Sequence, residues 1–202
     1  MNTYEQPFWN ESQLVIGIDE AGRGPLAGPL IVAGVVLPIG YHHPLINDSK
    51  QLSEKTRKRL FHEIMSSACE VIIVIVDEMT IDRENIYQAT KQAMSNIAKC
   101  SIARAVLTDA MPITLDKSVT SIIKGDTKSI SIAAASIIAK VIRDTKMKHL
   151  DKIYPEYGLA KHKGYGTKAH MDAIRTYGIT PIHRKSFAPV SFYQESLFVN
   201  KG

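Results

Sequence analysis

Apolar positions recur along this chain in two periods. Leu14, Val15, Ile16 and Ile18 form a short run that reads as a buried strand, and Leu30 to Leu37 and Val71 to Asp77 read the same way. The three lie close enough in sequence to form a meander. Between the last two, Ser53 offers an N-cap to a helix with Leu60, Phe61, Ile64 and Met65 at helical spacing. A second helix is expected from about Asp82 to Cys100, with Ile86, Ala89, Ala93, Met94 and Ile97 on one face. Arg104 to Asp109 and Ser121 to Asp126 read as further strands. An alanine-rich helix follows from Ser129 to about Leu150, and Tyr154-Pro155 ends it. One of its stripes carries Ala133, Ala134, Ile137, Ile138, Val141 and Ile142; another carries Ser136, Lys140 and Arg143. Lys161-His-Lys-Gly-Tyr-Gly-Thr-Lys168 is a basic loop, followed by a short helix to Tyr177.

Acids interrupt this pattern in a regular way. The first strand ends in Asp19 and Glu20, the fourth in Asp109 and the fifth in Asp126. A core strand has little reason to carry charge, and unpaired buried carboxylates are costly, so three apolar segments with acidic ends suggest convergence on one cation site. Neighbouring strand residues face opposite ways, so at least one of Asp19 and Glu20 would face a divalent ion. Gly22-Arg23-Gly24 then lets the backbone come close to an anion and offer it N–H groups, with Arg23 adding charge. Acids for a metal followed by amides for a phosphate suggest phosphodiester chemistry. The competing reading of the acids is a set of solvated turns. A dinucleotide fingerprint does not fit, because its glycines must open a helix, whereas here Pro25 and Pro29 lead into another strand. In the 161–168 loop, Tyr165 could lie against a sugar or base while the lysines hold phosphates, or simply be a packed tyrosine.

With 202 residues, 45% of them hydrophobic, and no linker-like tract, the chain suits one domain spanning residues 1–202, with about 150–202 forming a basic helical and loop part. The net charge of +5 is unevenly spread. From residue 140 onward there are 12 Lys and Arg against 5 Asp and Glu, and before it 13 against 15. A nucleic-acid surface in the last third and a solvated basic helix face both fit that asymmetry. The two cysteines have no metal-type spacing, which points to a reduced, cytoplasmic protein. Met1 to Gln13 has no export signal, and no apolar run approaches the roughly 20 residues of a membrane helix.

The stretch Asp19-Glu-Ala-Gly-Arg-Gly-Pro-Leu-Ala-Gly-Pro29 resembles the type 2 ribonucleases H, bacterial ribonuclease HII in particular. Other blocks of that family match in order: Asp48 to Ser53, Asn85-Ile with Gln88-Ala-Thr90, Lys124-Gly-Asp126, Ser131 to Lys140, Gly164-Tyr-Gly-Thr167 with His170, and His183-Arg with Ser186-Phe-Ala-Pro189. The resemblance implies a ribonuclease H-like α/β fold, a mixed five-stranded sheet flanked by helices with a C-terminal helical part. It implies Asp19, Glu20, Asp109 and Asp126 as metal-binding and catalytic residues for Mg²⁺ or Mn²⁺. The substrate would be held by Gly22, Arg23, Gly24, Lys50 and Tyr165. The implied reaction is endonucleolytic cleavage of RNA–DNA hybrids, and of duplex DNA containing single ribonucleotides, on the 5′ side of the ribonucleotide. Ala110 stands where the family usually has glycine, which would shift Asp109 slightly, and Gly178 to Pro181 departs from the usual turn.

Other readings stay open at this point. Ribonuclease HIII resembles proteins with an added N-terminal domain, which the short segment before Gly17 disfavours. Another ribonuclease H-like nuclease would lack the two glycine motifs, and a non-catalytic nucleic-acid-binding module would fail to bind metal. A Ser-His-Asp hydrolase is disfavoured by the lack of a G-x-S-x-G elbow. The seven histidines have no ligand spacing and read as surface or structural. Near the end, Gln194-Glu-Ser-Leu-Phe198 resembles the bacterial sliding-clamp-binding pentapeptide, with Glu195 in place of an apolar residue; packing of Leu197 and Phe198 onto the domain is the alternative.

Overall fold

The computed structural model describes residues 2–46 and 52–193. Lys50 and the Gln194–Phe198 motif lie outside the described residues. The elements are α1 (Gln6–Asn10), β1 (Val15–Ala21), β2 (Leu30–Val36), α2 (Glu54–Ser67), β3 (Glu70–Val76), α3 (Glu78–Glu84), α4 (Ile86–Cys100), β4 (Ala105–Asp109), β5 (Ser118–Ile122), α5 (Ile130–Ile153), α6 (Leu159–His162) and α7 (Lys168–Tyr177), with 3₁₀ turns at Gly125–Thr127 and Pro155–Tyr157. The chain forms two compact units. The first comprises residues 1–21, 31–74 and 90–141, and the second comprises 22–30, 75–89 and 142–202.

The first unit is built on a mixed five-stranded sheet of order β3-β2-β1-β4-β5. β1 runs antiparallel to β2, with Ile16 opposite Val36 and Ala21 opposite Ile31. It runs parallel to β4, which runs parallel to β5. β2 and the Val15–Ile18 part of β1 carry no polar side chain, because strands covered on both faces have no solvated side to alternate with. β3, at the sheet edge, leaves Ile73 and Ile75 exposed. In α2, Ser53 Oγ accepts the Thr56 N–H at 3.1 Å, and Leu60 and Ile64 are buried, whereas Met65 is exposed.

Three predicted elements differ from the observed ones. The helix expected over Asp82 to Cys100 is two, α3 and α4, because Asn85 takes a left-handed φ of 64° and its side chain accepts the Gln88 N–H at 3.0 Å, capping a new start. β5 begins earlier than expected and stops at Ile122. Lys124 is left-handed, and the 3₁₀ turn after it, not the strand, carries Asp126. β1 continues through Asp19 and Glu20 to Ala21, so both acids lie within the strand.

The N-terminal part of α5 lies directly on the sheet at Gly17. A Cβ at Gly17 would run into the backbone of Ser131 and Ile132. Ala133, Ala134, Ala135, Ile137 and Ile138 are all buried, the small residues allowing the close approach. The start of α5 is fixed from a distance by Glu5, whose buried Oε1 accepts from Ser129 Oγ at 2.5 Å and from the Ser131 N–H at 3.0 Å. Ser129 Oγ in turn accepts the Ile132 N–H at 3.2 Å. Two of the helix's open N–H groups are thereby satisfied, one of them by an acid at the positive end of the helix dipole.

Because backbone atoms cannot swing aside as a flexible side chain can, Gly17→Ala is expected to destabilise the protein by about 3 kcal/mol, the upper end of ordinary overpacking costs. Urea denaturation of the variant beside the parent checks this; an unchanged midpoint would contradict the close approach of α5.

Candidate active site

In the first unit, the parallel register that sets Ile18 beside Thr108 carries Asp19 of β1 next to Asp109 of β4. Asp126 joins them from the 3₁₀ turn after β5. One carboxylate oxygen from each of the three lies within 4.8 Å of the others. Asp19 and Asp126 are only 4% exposed. The turn is tied to the strand, since the Gly125 N–H donates to Asp109 Oδ1 at 2.8 Å. Asp19 Oδ1 accepts the Glu20 N–H at 2.7 Å. Burial pushes the Asp19 carboxyl well above its ordinary range, and repulsion from Glu20 and then Asp109 adds to this, while hydrogen bonds from the Ser136 hydroxyl and the Glu20 N–H act the other way. Glu20 is outside the three-acid group, as strand alternation requires of the residue next to Asp19. Ala110 adopts a left-handed φ of 48°, the conformation a glycine takes without steric cost, and Asp109 remains in the group.

In the second unit, the Gly22–Pro29 segment is held from beneath by two buried arginines, Arg184 under Gly22, Arg23 and Gly28 and Arg143 under Ala27 and Pro29. Arg184 donates from Nη2 to Gly22 O at 2.7 Å, from Nη1 to Arg23 O at 3.0 Å, and from Nε and Nη2 to Gly28 O at 3.0 and 2.8 Å. Arg143 donates to the carbonyls of Pro29, Lys163 and Ala27 at 3.1, 3.0 and 3.2 Å. In a trans peptide the N–H points opposite to the C=O. With the Gly22 and Arg23 carbonyls turned toward Arg184, the N–H groups of Arg23 and Gly24 are turned the other way, the orientation an anion or hydroxyl ligand needs. Gly22 has φ of 107°, and a Cβ there would strike the Arg143 side chain. Burial, with repulsion from Arg143, lowers the Arg184 pKa to about 10; Glu78 and Asp82 oppose the shift, and the group stays charged at neutral pH.

The second glycine motif packs against the first. The Leu26 N–H donates to Gly164 O at 2.8 Å, and Gly164 (φ 82°) has no room for a Cβ beside the Ala27 carbonyl. Tyr165 is 46% exposed, and its Cε1 lies 3.7 Å from where a Cβ on Gly24 would stand. Beneath this surface Leu26, Met147, Tyr157, Leu159, Ile174 and Val190 form the unit's apolar core.

The family model for Ribonuclease HII matches residues 16–190. A ribonuclease HII from Lactobacillus helveticus is 50% identical over 191 residues, covering 94% of this chain and 76% of that protein. The chain belongs to the ribonuclease HII family. Among solved structures, the ribonuclease H2 of Pyrococcus horikoshii OT3 superposes with a TM-score of 0.75 at 24% identity, covering 93% of this chain and all of that one, which bears out the mixed five-stranded sheet with flanking helices. The complex of PCNA with RNase HII from Archaeoglobus fulgidus gives a TM-score of 0.73 at 26% identity, over 85% of this chain and 93% of that one.

As a ribonuclease HII family member the protein is an endoribonuclease acting on RNA–DNA hybrids. Among the described residues no helix is long and apolar enough to cross a membrane. Sequence reasoning did not assign roles to Arg143, visible only as one member of a helix stripe, or to Arg184, visible only within the His183-Arg block. The available signal was the density of glycines and prolines between Gly22 and Pro29, whose carbonyls have no helix or ladder to accept from and so require donors elsewhere. Ser136 was visible only as one member of a helix stripe and of the Ser131 to Lys140 block.

His183 yields a pH prediction. Burial, and then repulsion from His170, lowers its pKa from the ordinary 6.5 to about 4. The unfolded chain therefore binds a proton that the folded one refuses. Stability from this group is complete above about pH 6.5 and is lost as pH falls toward 4, by at most about 3 kcal/mol. Denaturation at pH 7 and pH 4.5 should show a smaller loss for His183→Asn than for the parent, the comparison removing the contribution of the carboxylates; equal losses would contradict it.

Proposed function

We propose that the enzyme cuts the RNA strand of RNA–DNA hybrids, and single ribonucleotides embedded in duplex DNA, on the 5′ side of the ribonucleotide, leaving 3′-OH and 5′-phosphate ends. The observation that carries this reading is the clustering of Asp19, Asp109 and Asp126, whose oxygens lie within one cation's reach. Hard oxygen donors suit Mg²⁺ or Mn²⁺. Asp19, Asp109 and Asp126 would hold the ions, with Glu20 beside them. Divalent ions held there would supply an activated water and stabilise the leaving 3′-oxygen. The chain itself then needs no covalent nucleophile. Its carboxylates fix the ion positions, and the hydrogen bonds from Gly125, Glu20 and Ser136 hold those carboxylates in orientation.

Phosphate contacts alone cannot tell RNA from DNA, so the 2′-OH must be read. We assign that task to the Gly22-Arg23-Gly24 backbone, whose outward N–H groups are set by Arg184, together with the Tyr165 ring packed on the next sugar. Arg23 and Lys50 serve the phosphates. The cytoplasm is the compartment we propose, in keeping with two free, exposed cysteines, Cys69 and Cys100. A sliding clamp is the proposed partner of Gln194–Phe198; the ribonuclease HII solved with PCNA supports that class of contact. Glu195 forfeits roughly 1–2 kcal/mol of apolar burial there.

Three outcomes are expected. On duplex DNA with one ribonucleotide, Asp19→Asn or Asp109→Asn should lose nearly all cleavage in Mg²⁺ or Mn²⁺, as the parent does in EDTA, while keeping its fold and much of its hybrid binding; near-normal turnover would remove the assignment. Tyr165→Ala should reduce cleavage at the lone ribonucleotide more than non-specific duplex binding, since stacking is lost while lysine contacts remain. Equal loss on both measures would make the tyrosine structural. A fluorescent peptide of residues 191–202 should bind clamp saturably and lose binding on Phe198→Ala; no saturation at high micromolar clamp rules the partner out.

A further inference from the structure

Below the Tyr165 loop, within the second unit, three imidazoles lie together. His162 and His170 are stacked with ring centroids 4.6 Å apart, and His170 and His183 lie 5.3 Å apart. His170 and His183 are almost entirely buried. Their hydrogen bonds form a chain whose two ends are chemically unambiguous. At one end the backbone N–H of Thr180, which can only donate, points at His183 Nδ1 at 3.0 Å, and the Thr180 hydroxyl, 2.9 Å from the same nitrogen, can turn its own O–H toward it as a second donor. At the other end the carbonyl of Tyr165, which can only accept, lies 3.0 Å from His170 Nδ1. Between them His183 Nε2 and His170 Nε2 are 3.2 Å apart.

One proton assignment satisfies all three links. His183 accepts at Nδ1 and so carries its proton on Nε2; that N–H donates to His170 Nε2; His170 therefore carries its proton on Nδ1 and donates it to the Tyr165 carbonyl. A second proton on either ring would set two N–H groups face to face, against Thr180 or between the rings. His162 completes the pattern, accepting the Gly164 N–H at Nδ1 at 3.3 Å and facing the Tyr157 carbonyl with Nε2 at 2.8 Å. The Gly164 N–H and the Tyr165 C=O, on either side of the Tyr165 side chain, are thus both held by imidazoles, the half-buried His162 and the buried His170, while the Tyr165 N–H donates to His162 O at 3.0 Å.

We propose that His183 and His170 act as a proton-ordered relay that fixes the Tyr165 backbone and hence the angle of its exposed ring, making them positioning residues for recognition of the RNA-to-DNA junction. This rests on the reading of Tyr165 as the group that packs on the sugar. The relay touches neither substrate nor metal ligands. Its role is to hold the ring still against Gly24, so that binding does not have to order it.

The test compares cleavage at a single ribonucleotide in duplex DNA with affinity for the same duplex lacking the ribonucleotide. His170→Leu removes the side-chain donor to the Tyr165 carbonyl, leaving only the Thr167 N–H at 2.8 Å, and should lower kcat/KM at the ribonucleotide about tenfold, the loss of a hydrogen bond to an oriented group, with duplex affinity changed less than about twofold. His170→Asn, whose amide can reach the same carbonyl from the Nδ1 position, should restore most of the rate. Tyr165→Ala is run beside them. If it leaves the ratio of the two measures unchanged, the reading of Tyr165 fails. If it shifts the ratio but His170→Leu does not, or if His170→Asn restores nothing, the relay is overturned while that reading stands. Should His170→Leu not fold, ring-nitrogen NMR on the unaltered enzyme decides. Neutral His183 protonated at Nε2 and neutral His170 protonated at Nδ1 support the relay, and an imidazolium or the opposite tautomer at either ring overturns it.

Discussion

Three like charges are confined to one small, largely buried space, and the architecture of the first unit follows from keeping them there. Left alone, Asp19, Asp109 and Asp126 would repel and seek water. The parallel pairing of β1 with β4 sets two of them side by side, and the left-handed turn at Lys124 folds the third back onto them. Hydrogen bonds from Gly125 and Glu20 orient the oxygens, but none of these donors carries a full positive charge. A divalent cation bound by all three would offset that repulsion. Gly17, pressed against the start of α5, and Glu5, which fixes that start, give the site a backing that does not yield.

The second unit meets the opposite requirement. Its functional surface is backbone, and backbone is reliable only when its unused half is occupied. Arg184 and Arg143 take up the carbonyls of Gly22, Arg23, Ala27, Gly28, Pro29 and Lys163, so the amides between are presented with little freedom to turn. Burying two guanidinium groups is expensive, as the lowered pKa of Arg184 indicates, and dense carbonyl bonding offsets it. Asp82 contributes at the far side, accepting the N–H groups of Lys185 and Ser186 at 2.8 and 2.9 Å and so fixing the segment that carries Arg184.

Much of this was legible in the sequence, for identifiable reasons. Strands covered on both faces leave unbroken Ile and Val runs, so β1, β2 and β4 stood out, and acids within such runs had no structural excuse. What was hidden depended on partners remote in the chain. Asp126 looked like the end of a strand because nothing local announces the left-handed Lys124. Asn85 concealed a helix break, since asparagine is unremarkable inside a helical pattern. The two arginines that orient the glycine loop are far from it in sequence, and Glu5 caps a helix from 126 positions away. Buried histidines bound to one another look the same in sequence as exposed ones.

On the proposed reading, Asp19, Asp109 and Asp126 hold a divalent cation. Calorimetric titration of Mn²⁺ into the metal-stripped enzyme tests it most directly. Saturable binding that disappears in Asp109→Asn, together with a rise in the parent's unfolding temperature that follows the Mn²⁺ concentration, is the predicted result. Binding of equal strength in parent and variant would place the cation elsewhere and contradict the account.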